Sequence, residues 1–183
     1  KHDKLADLVD QLTAFTGNRV PGKVTIRDVE ERLEFASTVR KKTIDDVEAA
    51  WRQTADLLAS NSIYRGAKLA PQLGLVPLGP DPKSGLLEFA DLQTGEPVTR
   101  RADGSLAITD DTGLVFVLIP GGTFRMGAQS ADPDEVNFDP DALANEGPVH
   151  DVVLVPYFIS KYEMTQGQWM RFTGANPSQY APG

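Results

Sequence analysis

Apolar residues recur at helical spacing through the first third of the chain. Leu5, Leu8, Val9, Leu12 and Phe15 share one helical face, and Gly17 follows as a stop signal. Ile26, Val29, Leu33 and Ala36 repeat the pattern after Thr25, with Asp28 three residues on completing a capping-box-like start. Thr43 and Asp46 predict the same device for a third helix, whose apolar stripe is Ile44, Val47, Trp51 and Leu58. Two or three packed helices are expected.

From Leu69 the pattern changes to short apolar runs between turn signals. Leu73 to Leu78 and Leu86 to Leu92 flank Pro80-Asp81-Pro82-Lys83-Ser84-Gly85 and predict hairpin strands. A second turn cluster, Ala102-Asp103-Gly104-Ser105, leads to the continuous apolar run Leu114 to Ile119, which predicts a strand buried on both faces. After Pro120-Gly121-Gly122, the stretch Thr123-Phe124-Arg125-Met126 alternates between outward and inward positions. Val152 to Ile159 is a further strand, with Pro156 marking an edge or a bend. Thr165 opens a last helix with Trp169 and Phe172 on its apolar side. No internal repeat is visible.

Composition sharpens this division. Residues 1 to 65 hold one of the 13 prolines and two of the 16 glycines, so that part can be helical and the remainder mostly cannot. The formal charge of -8 argues against a nucleic-acid or anionic-lipid partner, and Arg40-Lys41-Lys42 and Arg100-Arg101 are too short to form a phosphate-binding footprint. Cysteine is absent, which excludes disulfides, thiolate metal sites and cysteine nucleophiles within these residues. No apolar run approaches a membrane span, and Lys1-His2-Asp3 does not open a secretory signal; no membrane insertion and a cytoplasmic location are the expectations. The start without Met and the end at Pro182-Gly183 read as an excised segment of something longer.

Between Met126 and Ser160 stand seven acidic residues and no Lys or Arg, so one segment carries nearly the whole net charge. Three prolines by residue 148 predict a long ordered surface loop. Asp132, Asp134, Asn137, Asp139 and Asp141 offer oxygen ligands suited to calcium, although the spacing is not that of an EF-hand; a solvated loop is the simpler reading. His150 has only His2 as company, so a centre of two or three histidines cannot form and a structural role is expected. Glu163 and Gln166 read as caps or buried network members at the start of the last helix, and Trp51 and Trp169 as core anchors. Gly121-Gly122 lacks the Lys-Ser or Lys-Thr of a phosphate loop and reads as a tight turn. No catalytic set can be argued from spacing, so no catalytic or cofactor-binding residue is assigned.

The run Phe116-Val117-Leu118-Ile119-Pro120-Gly121-Gly122-Thr123-Phe124-Arg125-Met126-Gly127 resembles the opening of the formylglycine-generating enzyme family, also called the sulfatase-modifying factor domain. The resemblance continues through Asn145-Glu146-Gly147-Pro148-Val149-His150-Asp151-Val152 and from Tyr157 to Trp169, covering about residues 113 to 183. Residues 64 to 113, including the run from Pro71 to Gly79, resemble the lead-in of bacterial multidomain proteins that carry this domain, some fused to serine/threonine kinases. The resemblance implies a C-type-lectin-like fold. Members include copper-dependent oxidases that convert a sulfatase cysteine to formylglycine, iron-dependent sulfoxide synthases and non-catalytic ligand-binding relatives. It also implies that the copper-binding cysteines and most calcium ligands lie in a second half of the domain. Gly121, Gly122, Glu146, His150, Glu163 and Gln166 are then scaffold: a Gly-Gly hairpin and fold-defining polar contacts.

The expected class is α+β, with a helical segment over 1–65, a β-hairpin lead-in over 66–112 and the N-terminal half of a formylglycine-generating-enzyme-like domain over 113–183. Without cysteine, this polypeptide cannot run copper–thiolate oxidation alone. The expected partner is the C-terminal half of the domain as a separate or cleaved chain, with a nick near Gly183, and copper enters only through that half. The alternative is a lectin-like binding or sensory module that takes a protein or peptide ligand. A third reading makes the cleavage itself the event, with the chain a protease product.

Overall fold

A computed structural model describes residues 2–17 and 25–180; Gly183, named above as a cut site, lies outside them. Helices α1 (His2–Thr16), α2 (Ile26–Arg40) and α3 (Glu48–Ser60) come first. They precede strands β1 (Leu75–Pro80), β2 (Leu87–Asp91), β3 (Val115–Ile119), β4 (Gly122–Met126), β5 (His150–Leu154) and β6 (Tyr157–Ser160), and helix α4 (Gln166–Thr173). The class is α+β. β1, β2, β3 and β6 form an antiparallel sheet in that order, and β4 and β5 form a separate two-stranded ribbon.

The predicted start of α2 is present in full. Thr25 Oγ1 accepts from the Asp28 amide at 3.3 Å, and the Asp28 carboxylate accepts from the Thr25 amide at 2.8 Å. The matching expectation at Thr43 is overturned. α2 runs into a π-helical turn, Lys41–Asp45, and α3 starts after Val47 with no side-chain cap. Thr43 is buried inside that turn, where its hydroxyl donates to Val39 O at 2.6 Å and accepts from the Gly74 amide at 3.2 Å. A threonine with a carbonyl four residues back satisfies its hydroxyl there, and the cap pattern loses its meaning.

The three helices do not form a bundle core. Leu5, Leu8, Val9, Leu12, Ile26, Val29 and Leu33 are all exposed, whereas α3 packs its stripe against the four-stranded sheet. Trp51 and Leu58 meet Tyr64, Leu87, Phe89 and Leu118 in the main core. Trp51 lies 5.6 Å from Phe89 between ring centroids, and Phe89 meets Phe158 edge-to-face at 5.2 Å, so one aromatic chain links α3 to β6. Tyr64 adds a polar pin, donating to Leu118 O at 2.9 Å and accepting from the Leu87 amide at 2.8 Å. Burial pushes its phenol up from the ordinary value, and the Leu87 amide acts against that.

Strand register divides the sheet into two faces. Phe89, Phe116, Leu118 and Phe158 face α3, while Glu88, Val117 and Ile159 form a row on the other side. On that other side Ala90 and Val115 are covered by Val98 and Leu106 from the connection between β2 and β3. β3 is therefore only partly covered at its β6 end, where Ile119 is half-buried. Val152 to Ile159 is not one strand. Its two parts, β5 and β6, belong to different sheets, and Val155-Pro156 is the corner between them. Nor is Gly121-Gly122 a hairpin, since β3 and β4 do not pair. Gly121 passes so close to the second corner that a Cβ there would sit 2.6 Å from Leu154 O and 2.9 Å from Pro156 Cδ, whereas one on Gly122 would meet nothing within 4 Å. The expected inward and outward alternation of Thr123 to Met126 is also absent, since all four are exposed.

A buried ionic cluster locks the hairpin to the downstream strands. The Glu88 side chain is 0% exposed; Arg100 Nη2 donates to one of its oxygens at 2.7 Å, and Lys161 Nζ donates to the other. Lys161 also reaches Asp81 Oδ1 at 3.2 Å, and Arg100 donates to Gly104 O at 2.9 Å. The Ser84 hydroxyl and amide, with Lys161 behind them, hold the Asp81 carboxyl well below the usual carboxylate range. Burial acts to lower the Lys161 ammonium, but hydrogen bonds to Glu88 and Asp81 prevail and raise it.

Tyr64→Phe should leave the Leu87 amide and Leu118 carbonyl short of a partner and cost about 1–3 kcal/mol in urea unfolding. Lys161→Met removes one of two cations from a buried carboxylate and should cost on the order of 3 kcal/mol in the same assay. Asp81 has a depressed folded-state value, so its stabilisation is complete above its ordinary value of 3.8 and is lost as pH falls through the folded value. Thermal melts from neutral pH into acid should show that loss, and Asp81→Asn should flatten it.

Candidate functional site

α4 is fastened by groups from its own first turn and its exposed side. Thr165 caps it: Thr165 Oγ1 accepts from the Gln168 amide at 3.2 Å, and Gln168 Oε1 accepts from the Thr165 amide at 3.0 Å. Gln168 is buried, and its Nε2 donates to Thr112 O at 2.9 Å. Arg171 spreads its guanidinium over three carbonyls, of Thr94 (2.9 Å), Asp110 (3.0 Å) and Thr112 (3.2 Å). The cap is thus neither Glu163 nor Gln166, which the sequence suggests as caps or buried network members, but the Thr165-x-x-Gln168 pair; Arg171 is signalled by being the basic residue of the last turn.

Two adjoining hollows open at the N-terminal end of α4. One, of about 250 Å³, is lined by Met164, Thr165, Gln166, Trp169, Asn176, Pro177 and Ser178. The other, of about 580 Å³, is lined by residues 108–110, 165–168 and Tyr180. Gln166 stands between them as an exposed hub, not a buried one: its Nε2 donates to Ser178 Oγ and Tyr180 O, both at 3.1 Å, and its Oε1 accepts from Asn176 Nδ2 at 2.9 Å. Trp169 is 42% exposed, which corrects its assignment as a core anchor, and Phe172 on the same apolar side is 54% exposed. The smaller hollow offers an indole, a thioether, amides and hydroxyls but no acid or base, and Asp110 is the one carboxylate among the residues lining the larger. Such a lining suits binding; acid–base chemistry needs a positioned titratable pair that is not built here.

The acidic loop is organised by its own turns. Asp132 Oδ1 accepts from the Asp134 amide at 3.0 Å and Asp139 Oδ1 from the Asp141 amide at 2.9 Å. Asn137 has a positive φ of 58° and donates to Arg125 O at 3.0 Å and Gly127 O at 2.8 Å, stapling the loop to the end of β4. Among the described residues no three His, Cys, Asp or Glu side chains converge as a metal site. The amide nitrogen of Asn137 faces the carbonyls it serves. A copper–thiolate centre cannot form from these residues alone, since the chain has no thiol to offer.

The remaining motif residues take local roles. Glu146 Oε2 accepts from the Leu143 amide at 2.8 Å, and its carbonyl accepts from the Ala128 amide at 3.0 Å. Gly127 has φ 96°, and a Cβ there would meet Pro148 O at 2.7 Å, so glycine alone allows this approach. His150 is exposed, with Nδ1 2.8 Å from Pro148 O. Glu163 is exposed, and its carboxylate has no hydrogen-bond or ion-pair partner among the described residues. The pairing of the most heavily engaged charges, Glu88 with Arg100 and Lys161, has no signal in the sequence, because partners 12 and 73 residues from Glu88 leave no local pattern.

Residues 108–181 match the family described as the sulfatase-modifying factor enzyme 1-like domain. Over 62 residues the chain is 43% identical to the formylglycine-generating enzyme of Thermomonospora curvata, which covers 33% of this chain and 18% of that protein. The chain thus spans under a fifth of the length of this relative. No solved structure matches. The match begins just before β3 and takes in the ribbon, β6 and α4, and residues 108–181 belong to the sulfatase-modifying factor enzyme 1-like domain family.

Proposed function

We propose that the chain supplies the N-terminal scaffold of a formylglycine-generating-enzyme-like domain and that a C-terminal complement, as a separate or cleaved chain, is needed for copper-dependent oxidation of a peptide cysteine to formylglycine. The observation that carries this is the state of the matched segment. Phe124, Met126, Tyr157, Ile159, Trp169 and Phe172 are all at least 40% exposed, although residues of these types ordinarily fill a core. A complement would cover them and would have to bring every thiolate, because this chain brings none. Here the chain's own residues position: Gln168 and Arg171 hold α4, and Lys161 holds β6 to the hairpin.

A second reading rests on the hollow beside Trp169, whose lining of amides, hydroxyls and an indole is that of a binding pocket. In that reading the domain is a lectin-like, non-catalytic recognition module of a multidomain, kinase-linked bacterial protein. The experiment is complementation. The chain is co-purified with the part of the Thermomonospora curvata relative that lies C-terminal to the matched 62 residues, and the pair is incubated with copper, oxygen and a peptide bearing one cysteine. A stable pair that converts the cysteine to the aldehyde, with the chain alone inert, is the expected result. A stable pair that leaves the peptide intact would move the function to the binding module, and failure to associate would sink the scaffold proposal.

A further inference from the structure

Helices α1 and α2 are specified locally but are not used by the core. α2 has its complete capping box at Thr25 and an Arg27–Glu31 ion pair at 3.3 Å, and it runs through the π-helical turn toward α3. Its contact side holds Phe35, half-buried, and Val39, buried. Ile26, Val29, Leu33 and Ala36 lie about a third of a turn away from that side, and all four are exposed. Leu5, Leu8, Leu12 and Phe15 of α1 are exposed likewise. Each helix has 15 residues, a length that is marginal in water by itself and draws its stability from packing an apolar face. Two such faces stand here without a cover among the described residues.

Spacing gives the shape of the cover. Both stripes step by three and four residues in turn, through positions 5, 8, 12 and 15 and positions 26, 29, 33 and 36, which is the repeat by which one helix receives another. Charge and area point to a second copy. Residues 1–65 carry eleven Lys or Arg and eleven Asp or Glu, so the whole -8 resides beyond them and two copies can meet at the helices without net repulsion. Asp7 and Asp10 stand on the side of α1 opposite its stripe, and Glu30 and Arg32, beside the α2 stripe, have opposite signs. The eight exposed large apolar residues of the two helices are 39–68% open. At roughly 200 Å² for a large apolar residue, they offer about 800 Å² per chain, the share that each partner brings to an interface of standard size. The rest of the matched domain gives no reason for these stripes, because the family match begins at residue 108 and takes in neither helix.

We propose that the apolar stripes of α1 and α2 pack against the same stripes of a second copy of this chain, so that the two helices are a dimerisation segment joined through α3 to the β-rich part. The association is driven by apolar burial and brings no residue of the matched stretch into the interface. It rests on the helical segment alone and is independent of both the oxidase and the binding-module readings.

The test is sedimentation equilibrium of the full chain over about 5 to about 200 µM, with far-ultraviolet circular dichroism at the same concentrations. The chain should be a dimer whose helix content falls as dilution dissociates it. Leu8→Glu and Leu33→Glu, both at exposed positions, should each weaken the dimer at least about tenfold and remove the dependence of helix content on concentration. Fluorescence of buried Trp51 should report an unchanged core in both variants. Asp10→Asn, opposite the α1 stripe, and Ile159→Lys, in the matched stretch, should leave the dimer intact. The proposal is overturned if the chain is a monomer at about 200 µM, or if a dimer survives both leucine variants. It is equally overturned if Ile159→Lys dissolves the dimer, which would place the interface on the matched stretch.

Discussion

A carboxylate cannot be buried in a small sheet without cations to meet it, and Glu88 imposes that condition on everything around it. Its side chain has no exposed surface, and an uncompensated charge in such a place costs several kcal/mol. Arg100 answers from the connection after β2, and Lys161 answers from the residue after β6. These partners come from separate segments of the β-rich part of the chain. The hairpin must therefore sit beside β3, and β3 beside β6, for the charges to meet. Asp81 extends the same constraint to the turn between β1 and β2.

On the other face of the sheet the constraint is apolar. Phe89 stands between Trp51 of α3 and Phe158 of β6, so removing it would open a cavity touching both the helical part and the family-matched part. Tyr64 closes the same core with two hydrogen bonds to adjacent strands. Sheet and core are therefore shared between residues inside and outside the matched stretch 108–181. The two places where the chain leaves the sheet and returns, at Gly121 and at Pro156, touch one another, which fixes where the β4–β5 ribbon departs.

The candidate site follows from this frame. β6 leads to Lys161, and Thr165 then starts α4 against the turns around Thr94 and Thr112, which hold Gln168 and Arg171 by their carbonyls. What this places in the open is a collar of apolar side chains and amides, with titratable groups largely spent on structure.

Local pattern was enough for the helices, the hairpin, the turn at Asp81, the strand from Val115 to Ile119 and the capped start of α2. Each depends on residues within a few positions of one another, through helical periodicity, proline and glycine placement, or a capping box. The family was legible for the same reason, as contiguous blocks of residues. Tertiary structure alone decided which apolar stripes are buried, and it exposed α1 and α2 while burying α3, because only α3 meets the sheet. It also turned Thr43 from a cap into a buried tie, split Val152 to Ile159 between two sheets, and engaged Asp132 and Asp139 in turns of their own loop. Above all it paired Glu88 with Arg100 and Lys161. Burial and charge pairing depend on which segments meet in space, and no spacing along the chain encodes a contact between residues 73 positions apart.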